Sequence, residues 1–286
     1  MTTTSKSNFA AGLRTTILMA TLGGLLVAIG YALGGFQIAS VFLVLALVMN
    51  GVAYFFSDKI AIKSSGAKPI SEQEAPGLYQ MVRELTTRAN LPMPKLYMIP
   101  SEQPNAFATG RNPKHSAVAV TQGITKLLSE DELRGVVAHE LAHIRSRDIL
   151  TQSVAAAIGS MITWLAYMFM WVGGDDDSPV GLIGSLALII LAPVSATLIQ
   201  LAVSRQREYA ADATGAEICG NPESLASALL RLEAGAEAIP MQANAATESM
   251  YIVKPFRGGG ISGLFTTHPP IQERVKRLRQ MRPSLG

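Results

Sequence analysis

Ser129-Glu130-Asp131-Glu132-Leu133-Arg134-Gly135-Val136-Val137-Ala138-His139-Glu140-Leu141-Ala142-His143 joins a helix start to a metal-ligand spacing. Ser129 stands three residues before Glu132, the Ser-x-x-Glu capping box that opens a helix. Leu133, Val136, Val137, Leu141 and Ile144 then recur at helical spacing and form one apolar stripe. Glu130, Asp131 and Glu132 in the first turn, with Arg145 and Arg147 near the end, suit the helix dipole. On such a helix His139 and His143 share a face and can address one metal ion. With Glu140 they complete H-E-x-x-H, the zinc-hydrolase pattern, in which the glutamate takes the proton of a metal-activated water. A surface helix with two unconnected histidines has the same spacing. Against it, the chain holds only four histidines, and two of them stand at this spacing beside a glutamate.

A tetrahedral catalytic site needs a third protein ligand and one open position. The best candidate is Glu208, in Ser204-Arg205-Gln206-Arg207-Glu208-Tyr209-Ala210-Ala211-Asp212. Glu208 and Asp212 are four apart and share a helix face. One can bind the metal while the other hydrogen-bonds a ligand histidine and sets its tautomer. The alternative is a solvated charged face, with Arg205 and Arg207 as neighbours.

Composition points to a membrane. Of 286 residues 49% are hydrophobic and 16% charged, and four segments reach the roughly 20 apolar residues a bilayer requires. They are Thr15–Leu33, Gln37–Phe56, Ile149–Val172 and Val180–Val203. Gly34-Gly35 reads as a tight hairpin between the first two. Residues 173–179, Gly-Gly-Asp-Asp-Asp-Ser-Pro, form a short acidic turn between the last two, and Pro193 predicts a kink in the fourth. Buried core helices are the alternative for the last two. Lys6, Arg14, Lys59, Lys63, Lys68, Arg145, Arg147, Arg205 and Arg207 flank the spans, and the connecting turns carry no lysine or arginine. Both termini and the soluble parts are therefore expected on the cytoplasmic side.

The expected organisation is an N-terminal transmembrane hairpin at 1–56, cytoplasmic sequence at 57–148, a second hairpin at 149–203 and cytoplasmic sequence at 204–286. The metal site would be assembled from the two cytoplasmic ends of the second hairpin. Cys219 is the sole cysteine, which excludes an internal disulfide and suits a reducing compartment; a small buried apolar role is the preferred reading. Net charge is only +3, with the basic residues at membrane borders, so no nucleic-acid partner is expected. Three strands are predicted before the motif helix, at Lys95–Ile99, Ala106–Thr109 and Ser116–Thr121. Asn105-Ala106-Phe107-Ala108 reads either as an ordinary sheet strand or as an exposed edge to which an extended peptide adds through main-chain hydrogen bonds. Residues 234–263 give no clear signal, although Arg257-Gly258-Gly259-Gly260 marks a loop.

His139 to His143, Glu208 with Asp212, Asn105 to Ala108, and Thr267-His268-Pro269-Pro270 followed by Arg274 resemble the HtpX membrane zinc endopeptidases, relatives of the CAAX prenyl proteases. The resemblance covers nearly the whole chain. It implies one zinc ion held by His139, His143 and Glu208, with Glu140 as general base and Asp212 behind a ligand histidine. It places Asn105, Ala106, Phe107 and Ala108 at the substrate, and His268 and Arg274 at the oxyanion or behind Glu208. The fold class expected is a mainly α integral membrane protein, with four transmembrane helices and a cytoplasmic α+β gluzincin-like zinc protease domain carrying a small β-sheet. The resemblance further implies a bacterial inner membrane location and cleavage of misfolded or damaged membrane proteins at the cytoplasmic face under stress, beside the membrane protease FtsH. Two rival readings are an intramembrane-cleaving metalloprotease, whose motif would lie inside an apolar span, and a zinc-stapled membrane scaffold without activity.

Overall fold

The computed structural model describes residues 3–173, 205–238, 252 and 269–281. The fold is mainly helical with a small mixed sheet. Helix α1, Thr3–Ser64, breaks at Gly34 and Gly35. Gly35 has φ 66° and ψ −154°, backbone that a side chain strongly disfavours, and there the chain reverses. The two limbs then run antiparallel: Asn50 Nδ2 donates to the Met19 carbonyl at 3.1 Å.

The second limb, Gly34–Ser64, is long and apolar enough to cross a membrane by length and composition, with mean hydropathy 2.2 over its most apolar window. Phe36, Val41, Val44, Leu47, Val48 and Phe55 point outward from it. The predicted spans at 15–33 and 37–56 coincide with the two limbs. The third lies within α5, Asp148–Gly173, and the fourth, with the turn before it, lies outside the described residues. Helix α5 begins inside the protein. Val154, Ala155, Ala157 and Ile158 share a buried cluster with Leu18, Leu22 and Leu26 of the first limb and Ala46, Met49 and Ala53 of the second.

Four strands follow α1 in the order β1-β2-β4-β3: β1 Lys68–Pro69, β2 Lys95–Ile99, β3 Ala106–Asn112 and β4 His115–Thr121. β2 and β4 are parallel, and the other pairs antiparallel. Three strands match their predicted positions. β3 runs three residues further than expected, and β1, two residues long, is too short to leave a pattern. Alternation sends Phe107 and Ala119 toward Ala61 of α1 and Ala156 of α5, and Ala106, Ala108, Val118 and Val120 into the main core. Helix α2, Pro76–Ala89, and the short α3, Gln122–Leu127, flank the sheet.

Helix α4, Glu130–Ser146, begins at the predicted capping box. Ser129 Oγ accepts from the Glu132 amide at 3.3 Å, and Glu132 Oε2 accepts from the Ser129 amide at 2.8 Å. The apolar stripe is buried as expected, but the opposite face is buried too. Small residues are the reason. A Cβ on Gly135 would stand 2.6 Å from the Leu225 amide nitrogen, and one on Gly215 would stand 2.9 Å from His139 N and Cα. These glycines let α7, Pro222–Ala238, and α6, Arg205–Cys219, press directly on α4. Helix α8, Ile271–Gln280, packs over α6 and α7. Cys219 is buried, in keeping with the apolar reading. Residues 234–238 complete α7, and the tract beyond, including the glycine loop at 257–260, lies outside the described residues apart from Ile252.

Candidate metal centre

Three helices converge on one buried point. Helix α4 supplies His139, Glu140 and His143, α6 supplies Glu208 and Asp212, and α8 supplies Arg274. All six are buried. His139 Nε2 and His143 Nε2 lie 3.2 Å apart. Glu208 Oε2 is 3.8 Å from His139 Nε2, and Glu208 Oε1 is 3.5 Å from His143 Nε2.

The donor set fits a metal. Two nitrogens bound tetrahedrally at about 2.05 Å stand about 3.3 Å apart, close to the spacing seen. Ligand atoms of His139, His143 and Glu208 all lie within 4.8 Å of one another, the one such cluster found among the described residues. Of the two acidic candidates on α6, Glu208 therefore faces both imidazoles.

Asp212 takes the other place. Its Oδ1 lies 3.0 Å from His139 Nδ1, which favours a proton on Nδ1 and leaves the Nε2 lone pair facing the cluster. Burial alone would raise the Asp212 pKa, but Arg274 and His139 outweigh it and hold the carboxyl down at about 2. Arg274 is fully buried and grips Asp212 with both arms, donating from Nε to Oδ2 at 2.9 Å and from Nη2 to Oδ1 at 2.7 Å. Arg274, expected at the oxyanion or in support of Glu208, thus directs its fork to Asp212. His268 lies outside the described residues.

Glu140 stands beside the ligands on α4. Burial pushes its pKa up, Glu208 adds to the rise, and the two histidines and the Ala108 amide, which donates to its carboxylate, oppose it. For His143, burial pulls the pKa down, yet Glu208, Asp148 and Glu140 prevail and lift it to about 9.

Asn105, Ala106, Phe107 and Ala108 do lie at the sheet margin next to Glu140, and β3 is an edge strand by order. The expected exposure is absent, because all four are buried. Several outward main-chain groups of β3 already have partners. The Ala106 carbonyl accepts from the Ile252 amide at 3.2 Å, the Ala108 amide serves Glu140, and the Gly110 amide donates to Ser153 Oγ at 3.2 Å.

Two residues not expected at the site, Asp148 and Arg207, stand beside it. Asp148 lies 3.8 Å from His143 Nδ1 and 2.8 Å from Arg207 Nη1. An aspartate heading an otherwise apolar run was the available signal.

A buried two-histidine, one-glutamate set with a further glutamate alongside defines a metallopeptidase centre. The profile of peptidase family M48 matches residues 72–282. A Protease HtpX homolog of Pelotomaculum thermopropionicum is 53% identical over 94% of this chain and 98% of its own length. One from Syntrophobacter fumaroxidans is 50% identical over 94% and 98%. One from Thermococcus kodakarensis is 49% identical over 96% and 97%. The crystal structure of S. mikatae Ste24p aligns with 96% of this chain and 67% of its own at 18% identity, with a TM-score of 0.49. The chain belongs to peptidase family M48, as an HtpX-type metalloprotease.

Proposed function

We propose that the chain is a membrane-anchored, zinc-dependent endopeptidase that cuts misfolded or damaged membrane proteins at the cytoplasmic face. The observation that carries this reading is the convergence of His139, His143 and Glu208 beside a buried Glu140. Zinc, when bound, polarises a carbonyl and lowers the pKa of a water to about 7. Glu140, adjacent to the ligands, takes the proton of the attacking water and returns it to the leaving amine. Its burial supports that role, since a raised pKa brings a carboxylate nearer the operating pH.

A substrate lying extended along β3 would use the Ala106 carbonyl and Ala108 amide, which here serve Ile252 and Glu140. Asn105 and Phe107 would flank it, and His268 would supply the oxyanion donor. The four-span topology, with both termini cytoplasmic, draws support from the apolar limb of α1 and from the basic residues at the span borders. An inner-membrane, stress-linked role beside FtsH completes the proposal and rests on the family resemblance. Membership of a metalloprotease family sets the inert scaffold aside. The intramembrane rival is disfavoured because α4 shares its core with α2, the sheet, α6 and α7.

The test is cleavage of an unfolded model protein by the purified full chain in detergent. Activity should need zinc, vanish with a chelator, and fall by about 10²–10⁴-fold in Glu140→Gln while bound zinc is unchanged. Wild-type turnover in that variant would overturn the base assignment.

A further inference from the structure

We propose that Asp148 and Arg207 are positioning residues forming a second brace for the metal site, the counterpart of Asp212 and Arg274, and that this brace couples metal loading to the meeting of the chain ends that enter α5 and α6. The inference rests on the reading of His139, His143 and Glu208 as metal ligands.

The two arrangements correspond part for part. Each histidine turns Nε2 to the cluster and Nδ1 to a carboxylate, His139 to Asp212 at 3.0 Å and His143 to Asp148 at 3.8 Å. Each carboxylate is held by an arginine. Arg274 reaches Asp212 Oδ1 at 2.7 Å, and Arg207 Nη1 reaches Asp148 Oδ1 at 2.8 Å. The other Asp148 oxygen accepts from Ser146 Oγ at 2.8 Å. Both pairs are shielded from water; the Asp148 and Arg207 side chains are 8% and 12% exposed. An anion on the Nδ1 side favours the tautomer whose Nε2 lone pair faces the metal. At 3.0 Å Asp212 acts within hydrogen-bond range, whereas at 3.8 Å Asp148 steers His143 by charge.

What distinguishes the second brace is its place in the chain. Asp212 and Arg274 tie α6 to α8, inside the domain. Asp148 is the first residue of α5, reached after a single left-handed residue, Arg147 at φ 60°, that ends α4. Arg207 is the third residue of α6 and directly precedes Glu208. The chain between them, residues 149–206, leaves and returns at this ion pair. Separating its ends would release Asp148 from His143 and draw Arg207, with Glu208 beside it, off the cluster. Two of the three ligand positions thus depend on one buried pair.

The experiment uses the full chain in detergent and reads zinc affinity by competition with a chromophoric chelator, together with the visible absorption band of the cobalt-substituted protein. Asp148→Asn and Arg207→Met should each weaken zinc binding about 10–100-fold and alter the cobalt band. The double variant should be no worse than the weaker single one. Affinity within twofold of wild type and an unaltered band, with only the thermal midpoint of the metal-free protein lowered, would show a merely structural pair and overturn the proposal. If Asp148→Asn does not fold, Asp148→Glu carries the same comparison, an altered band supporting the brace and an unaltered band with unaltered affinity refuting it. His143→Ala separates the premise: wild-type zinc affinity there would sink the ligand assignment itself.

Discussion

Gly215 of α6 lies against the backbone of His139, so that a Cβ added to it would stand 2.9 Å from both the His139 nitrogen and Cα. The neighbour is main chain in the buried stretch of α4 and cannot swing away. In an exposed helix, replacing glycine by alanine gains up to about 1 kcal/mol; here the overlap reverses the sign.

Gly215→Ala should therefore destabilise the protein by about 1–3 kcal/mol. It should also lower metal affinity, because α6 cannot move off α4 without carrying Glu208, two turns earlier, away from both histidines. Gly135→Ala is the comparison. Its Cβ would press on the Leu225 amide of α7 at 2.6 Å, where no ligand resides. It should lower the thermal midpoint with a smaller change in zinc affinity. Equal zinc losses in the two variants would show that α6 does not set the ligand position.

Arg274 is fully buried and places two donors on Asp212. Arg274→Ala leaves Asp212 buried with only His139 beside it, a loss of about 3–5 kcal/mol. Arg274→Lys keeps the charge but not the planar fork and should recover only part of it. Thermal unfolding in detergent measures both. Full recovery by lysine would mean that charge, not the two-armed grip, is what matters.

Asp212 also predicts an acid phase. Its pKa is about 2 in the fold against an ordinary 3.8, so the native state favours the ionised form. That stabilisation is complete above about 4 and disappears as pH falls toward 2. Unfolding midpoints of wild type should drop across this window, and those of Asp212→Asn should lack that part of the drop. Parallel curves would refute the shift.

Ser129→Ala tests the motif helix at its far end. Loss of the capping box should cost about 1 kcal/mol of stability. Ten residues of helix, about 15 Å, separate Ser129 from His139, so zinc affinity should stay at the wild-type value. A changed affinity would mean that fraying at the cap reaches the metal site.

Helix α4 was legible because all of its information is local: cap, periodicity and the four-residue histidine spacing lie within one segment. The strands β2, β3 and β4 were legible for the same reason, and the Gly34-Gly35 reversal follows from a backbone that glycine readily adopts. The covering of β3 was not legible. Its apolar alternation is the same whether the outer edge meets solvent or Glu140, Ser153 and Ile252.

By itself, then, the sequence determined the helix that carries the motif, the apolar segments that meet at Gly34-Gly35 and the short list of acidic candidates, since each depends on residues a few positions apart. By spacing alone Glu208 and Asp212 are equivalent, since both lie on one helix face; the tertiary structure sets Glu208 against both imidazoles and Asp212 against His139 Nδ1. It also decided that Arg274 serves Asp212, a contact across 62 positions, and that Asp148 and Arg207 meet at all. Such pairs form where close helix packing, allowed by Gly135 and Gly215, brings buried charges within reach of one another. Local pattern has no means of encoding that distance.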